Sequence, residues 1–192
     1  MANFTIIGTG NMGTAIGGVL TAGGSDVTLV SHENVGTTPA SGDVAILAVP
    51  YPAVDEIIAA YGEQLQGKIV VDITNPLNFE TFDSLVAPVG SSATAQIQAI
   101  LPGSTVLKAF NTTFAATLAS QQVGGLQTTV LIAGDDSDAK TLLPAAITAG
   151  GVAAIDAGSL ARAHELEAIG FLQLTLAAGE KISWAGGVAV AN

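Results

Sequence analysis

The chain contains no cysteine. Disulfides, thiolate metal sites and cysteine nucleophiles are therefore excluded. Positive charge is nearly as scarce. Five basic side chains (Lys68, Lys108, Lys140, Arg162 and Lys181) stand against sixteen acidic ones, for a net charge of −11. The five are scattered, whereas nucleic-acid binding needs a concentrated positive surface, so no nucleic-acid partner is expected. The two histidines, His32 and His164, lie too far apart in sequence to suggest a local metal motif, and no metal is expected. No apolar run reaches the ~18 to 20 residues of a membrane span without an interrupting Gly, Pro, Asp or Lys. The start, MANFTIIG, has neither the basic region nor the small-residue cleavage site of a secretion signal. These absences predict a cytoplasmic protein with no membrane partner.

What remains is apolar: 49% of 192 residues are hydrophobic and 11% charged, enough for a large core in one domain. Short apolar runs alternate with helical periodicity. Strands are predicted over 3–8, 26–30, 43–49, 68–73, 105–110, 127–133 and 152–156. Helices are predicted over 11–22, 52–65, 92–101, 137–148 and 160–178. Such alternation predicts an α/β fold of Rossmann type, doubly wound, with a mainly parallel sheet covered on both faces. Residues 1–156 form the dinucleotide-binding unit in this reading, with 157–192 a helix and tail packed on it.

Only HENVGTTPASG separates the second strand from the third. That is too short for a helix and its turns. An extended return of this length reaches about 40 Å, against about 17 Å for a five-residue strand. The helix and outer strand that usually follow the second strand are therefore predicted to be missing, leaving the strand Asp26 to Val30 at the sheet edge.

GTGNMG, residues 8–13, joins the first strand to the first helix. Each glycine has its own physical reason. Gly8 permits the tight turn, Gly10 lets backbone approach a pyrophosphate, and Gly13 allows close packing of helix on strand. Amides of Thr9, Gly10, Asn11 and Met12 then face phosphates at the positive end of the helix. The bland reading is a glycine-rich turn without a ligand. Where NAD sites place a carboxylate at the end of the second strand, this chain has Ser31 and His32, both able to donate to a 2′-phosphate. NADP is therefore the predicted cofactor. Glu33 is an alternative ribose ligand if the strand runs longer, and His32 is otherwise an exposed turn residue.

Several stretches together, GTGNMG, AVPYPAVDEI, GKIVVDITNPL, VLKAFNT, LIAGDDSDAK and LEAIGFLQL, resemble the family of NADPH-dependent reductases of 8-hydroxy-5-deazaflavin, coenzyme F420. The resemblance runs from Phe4 to about Leu176. It implies hydride transfer between NADPH and a flat, electron-poor ring such as a flavin or deazaflavin, with no covalent nucleophile. It places Val49, Pro50 and Tyr51 along the nucleotide, Ile73, Asn75 and Pro76 beside the nicotinamide, and Asn111 and Thr112 toward a small-molecule redox acceptor. In this family His often stands where Asn111 does here, and the coenzyme's anionic tail is a poor match for a chain of net charge −11.

Structural readings accompany each residue. Pro50 and Pro76 end strands, Asn75 caps a turn, and Tyr51 stacks or merely packs. Asp72 acts as an acid or binds backbone amides, and His164 pairs with Glu165 or Glu167. The stripe of Leu166, Ile169, Leu172 and Leu176 is core or a homodimer seam. A non-catalytic NADP-binding, redox-sensing module is the alternative function.

Overall fold

The structure, a computed structural model, describes residues 2–191. Nine strands are assigned among them: β1 (Asn3–Ile7), β2 (Asp26–Val30), β3 (Val44–Leu47), β4 (Ile69–Asp72), β5 (Thr105–Lys108), β6 (Gln122–Val123), β7 (Leu126–Gln127), β8 (Thr129–Ala133) and β9 (Ala153–Gly158). The α-helices are α1 (Asn11–Ala22), α2 (Val54–Leu65), α3 (Ala93–Ile100), α4 (Ala115–Ser120), α5 (Ala139–Ala149) and α6 (Ala163–Ala178).

Seven strands form one sheet in the order β2-β1-β3-β4-β5-β8-β9. The five from β2 to β5 are parallel. β8 and β9 are parallel to each other and join the rest through a single pair, Lys108 opposite Ala133. β2 is an edge strand, as the short connection to β3 requires. That connection is a single 3-10 turn, His32–Asn34, followed by irregular chain. Tyr61 of α2 secures it from below, its hydroxyl donating to the Thr38 carbonyl at 2.8 Å.

Period-two alternation along the strands sorts side chains to two cores. Phe4, Ile6, Val44, Ile46, Val71 and Leu107 meet α1, α4 and α5 on one face. Ile7, Ala45, Leu47, Val70 and Val106 meet α2 and α3 on the other. Each fully buried Ile or Leu contributes about 1.5–3 kcal/mol, so the parallel strands read as near-continuous apolar runs. Two elements have no counterpart in the sequence reading: α4, and the hairpin of β6 and β7. Gly124 and Gly125 both take positive φ (56° and 87°) in its two-residue turn. The strand expected at 127–133 is divided at buried Thr128, whose hydroxyl donates to the Thr117 carbonyl at 2.7 Å.

β5 stops two residues before its expected end because Phe110 takes φ 63°, a left-handed conformation that no strand continues. The turn delivers Asn111 to the carboxyl end of the sheet. α6 differs more. Its inward face carries Ala163, Leu166, Glu167, Gly170, Gln173 and Ala177. Leu172 and Leu176 face outward, 58% and 37% exposed, so the expected leucine stripe is only partly core.

Candidate functional site

The glycine turn behaves as its spacing predicts. Gly8 takes φ 117°, and a Cβ there would lie 2.1 Å from the Ala48 carbonyl oxygen. A Cβ on Gly13 would lie 2.1 Å from the Gly8 carbonyl oxygen. Both glycines are required by contact with backbone. Gly10 differs: a Cβ there meets nothing within 4 Å, so it borders open space. Helix α1 starts at this space with no side-chain cap and no acidic residue in its first turn. Among the described residues the amides of Thr9 to Gly13 have no protein acceptor. Five donors at the positive end of a helix, beside a gap, fit an anion such as a diphosphate.

Cavities lie on both sides of this turn. One, of 310 Å³, is bordered by Gly8, Thr9, Gly10, His32, Val49 and Pro50, with Glu56 and Ile57 of α2. The other, of 360 Å³, is bordered by Asn11, Met12, Ile73, Asn75, Phe110, Asn111, Phe114 and Trp184. A larger cavity of 590 Å³ sits at the amino ends of the strands near Ala2, Gly23 and Asp43. Folds of this type bind ligands outside the carboxyl ends, so the flanking pair forms the candidate site.

Ser31 follows β2 directly and, unlike His32, borders neither flanking cavity. Its Oγ accepts from Asn34 Nδ2 at 3.0 Å, which leaves its hydroxyl hydrogen free to donate. Glu33 lies in the 3-10 turn and borders neither flanking cavity. Glu56 does border the first one and went unnoticed in the sequence. It sits one helical position before Ile57 on a helix whose apolar face alone was legible.

Tyr51 turns the other way, packing against the core beneath α2. Its hydroxyl donates to Gln96 Oε1 at 3.2 Å. Burial, then the neighbouring carboxylates of Asp55, Glu167 and Asp72, push its phenol up, so it stays protonated. Thr112 is buried and Pro76 accepts from the Val86 amide at 2.6 Å; neither borders a flanking cavity.

Asn75 and Asn111 are brought together across β4 and β5. Asn75 Nδ2 donates to the Asn111 carbonyl at 2.9 Å. Asn111 Nδ2 donates to Asn75 Oδ1 at 2.9 Å and to the Leu166 carbonyl at 2.8 Å. Two acceptors around Nδ2 fix the orientation of the amide. Asn111 therefore has no hydrogen left to donate to an acceptor molecule. Its Oδ1 is buried and without a partner. Gly170 of α6 makes this junction possible, since a Cβ there would lie 2.2 Å from Asn75 Oδ1.

Asp72 borders neither cavity. It is wholly buried in a charged node with Lys108 and Glu167. Lys108 Nζ lies 2.8 Å from Asp72 Oδ2 and 2.9 Å from Glu167 Oε1, and donates to the Thr74 carbonyl at 2.6 Å. Thr94 Oγ1 donates to Asp72 Oδ2 at 2.7 Å, the Thr74 amide to Asp72 Oδ1 at 2.8 Å, and the Ala93 amide to Glu167 Oε2 at 3.0 Å. Asp72 thus binds one backbone amide, as in one of its two readings, together with a hydroxyl and the Lys108 ammonium. His164 does not take Glu165 or Glu167, because Arg162 and Lys108 hold them. Sequence periodicity had no means of signalling the node, whose members lie 36 and 59 residues apart.

The fold and the glycine turn define a dinucleotide-binding α/β protein. The family model described as NADP oxidoreductase, coenzyme F420-dependent, matches residues 34–76. The chain is 32% identical over 155 residues to the F420-dependent NADP reductase of Methanocaldococcus jannaschii, covering 79% of this chain and 69% of that one. It belongs to that family of oxidoreductases. It is also 37% identical over 113 residues to metalloreductase STEAP3 of Rattus norvegicus, but spans only 22% of that protein. A solved structure from Arthrobacter sp. FB24, a candidate F420-dependent NADP-reductase, shares the fold over the whole of both chains, with TM-score 0.85 and 22% identity. No helix among the described residues is long and apolar enough to cross a membrane, and they contain no cluster of metal-binding side chains.

Proposed function

We propose that the chain transfers a hydride between NADPH and a planar acceptor of flavin or deazaflavin type. The observation that carries this reading is the row of unpartnered amides at Thr9 to Gly13, placed between two cavities. In this reading those amides hold the diphosphate. Ser31 and His32 receive the adenosine-side phosphate, and Met12, Ile73 and Asn75 border the nicotinamide. The nicotinamide supplies the hydride when bound, and the protein's task is orientation and exclusion of water. Asn111 holds the β4–β5 end to α6 through its bond to the Leu166 carbonyl.

Membership of the family supports the chemistry. The acceptor rests on the cavity walls, which are apolar or amide-bearing and uncharged. The test is to mix the chain with NADPH and a panel of riboflavin, FMN, deazaflavin, quinones and ferric chelates, following absorbance at the nicotinamide band. Turnover with a tricyclic acceptor is expected. Tight NADPH binding with no turnover across the panel supports the redox-sensing module instead, and absence of calorimetric heat with NADPH at millimolar levels removes both.

A further inference from the structure

We propose that Trp184, in the segment after α6, stacks on the acceptor and selects for extended, uncharged planar rings. This rests on the hydride-transfer reading above. Trp184 is the chain's only tryptophan, and 53% of it is exposed. It stands in a glycine- and alanine-rich segment that carries no periodicity. Its ring lies 5.1 Å from that of Phe114, tilted by 54°. Both rings border the 360 Å³ cavity that holds Asn75 and Asn111. Phe114 is buried and gives the wall a fixed backing, while the indole presents a large open face.

The backbone that carries Trp184 is held on both sides. Before it, the Lys181 amide donates to the Leu176 carbonyl at 2.8 Å. Around it, the Gly186 amide donates to the Ser183 carbonyl at 2.9 Å, closing a turn with Trp184 inside. After it, the Val188 amide donates to Oε1 of Gln173 at 2.9 Å, and Gln173 is itself buried on α6. A wall anchored this way loses little entropy on binding, which is the condition for stacking to add affinity. The lack of charged lining residues and the net charge of −11 disfavour an anionic ring. The cavity thus favours a neutral polycyclic ring, which covers more of the indole face than a one-ring oxidant does.

The test uses the whole chain saturated with NADP⁺ and riboflavin as probe, with binding followed by riboflavin fluorescence and by quenching of the single indole. Riboflavin is expected to bind the wild type and quench Trp184. Trp184→Ala should weaken riboflavin by about tenfold or more, and Trp184→Phe should recover most of that loss. NADP⁺ affinity, measured by calorimetry, should stay within about twofold in both variants. The inference is overturned if riboflavin binds Trp184→Ala as well as wild type, or if NADP⁺-loaded wild type does not bind it. Those outcomes leave nucleotide binding intact. A wild-type chain that takes up no NADP⁺ brings down the hydride-transfer reading along with this one.

Discussion

Two polar clusters sit near the carboxyl ends of the central strands, and they are completed differently. In the Asp72–Lys108–Glu167 node every charged atom has a partner: one ammonium meets two carboxylates and a carbonyl, and the remaining carboxylate sites take amides and a hydroxyl. At the glycine turn five amides have none, and beyond them Asn111 Oδ1 is buried and alone. A low-dielectric interior makes an unmatched charge expensive, so the node is closed, whereas Thr9, Gly10 and Asn11 are exposed and water can meet their amides until a ligand replaces it. The closed node is structural: it ties α3 and α6 to β4 and β5. The open cluster is where the proposed nucleotide and acceptor meet the chain.

Breaking the closed cluster should have the largest effect. Lys108→Met leaves two buried carboxylates facing each other without a cation. We expect a loss of about 3–5 kcal/mol in denaturant unfolding. A loss below about 1 kcal/mol would mean that water reaches the node. The open cluster should respond in the opposite sense. Gly10 has ordinary extended dihedrals (φ −69°, ψ −175°) and open space beside it, so Gly10→Val should fold with nearly unchanged thermal stability. It should nonetheless lose at least about 100-fold in NADPH affinity, because the new side chain occupies the phosphate's place. Normal affinity in that variant removes the cradle.

A smaller change sharpens the same comparison at the rim of the open cluster. Ser31→Asp places a carboxylate where the hydroxyl hydrogen is free, and should shift preference toward NADH by about tenfold in Kd ratio. An unchanged ratio places the 2′-phosphate elsewhere. The smallest effect concerns an exposed pair that resembles neither cluster. The Gly158 amide, at 2.8 Å, and then Lys140 hold the Asp156 carboxyl below the usual carboxylate range. A lowered folded-state value stabilises above the unfolded carboxylate's pKa of about 3.9, and that stabilisation fades as pH falls below it. Because the side chain is half exposed, Asp156→Asn should cost under about 1 kcal/mol at neutral pH, with no cost in strong acid. Equal losses at both pH values would assign the effect to something other than the charge.

Legibility in the sequence followed range. The strands β1 to β5, the glycine turn and the edge position of β2 were readable because they depend on alternation over a few residues, on backbone sterics at Gly8 and Gly13, and on the length of one connection. α4 and the β6–β7 hairpin were not, since six- and two-residue elements carry too little periodicity. Lys108 looked like one of five scattered cations, and Glu167 like a partner for His164. Asn111 was placed toward the redox acceptor by resemblance, and only its surroundings show that both amide hydrogens are already taken.

The amino-acid order by itself determined the wound sheet, its missing outer strand and the open glycine turn before the first helix, because each follows from local sterics and hydrophobic periodicity. Only the tertiary structure decided which polar groups are matched. Glu167 meets the Ala93 amide across 74 residues of chain, and Trp184 reaches Phe114 from the segment after α6. Contacts of that kind are set by how α6 packs on the finished sheet, and α6 could approach closely only because Gly170 leaves room for Asn75.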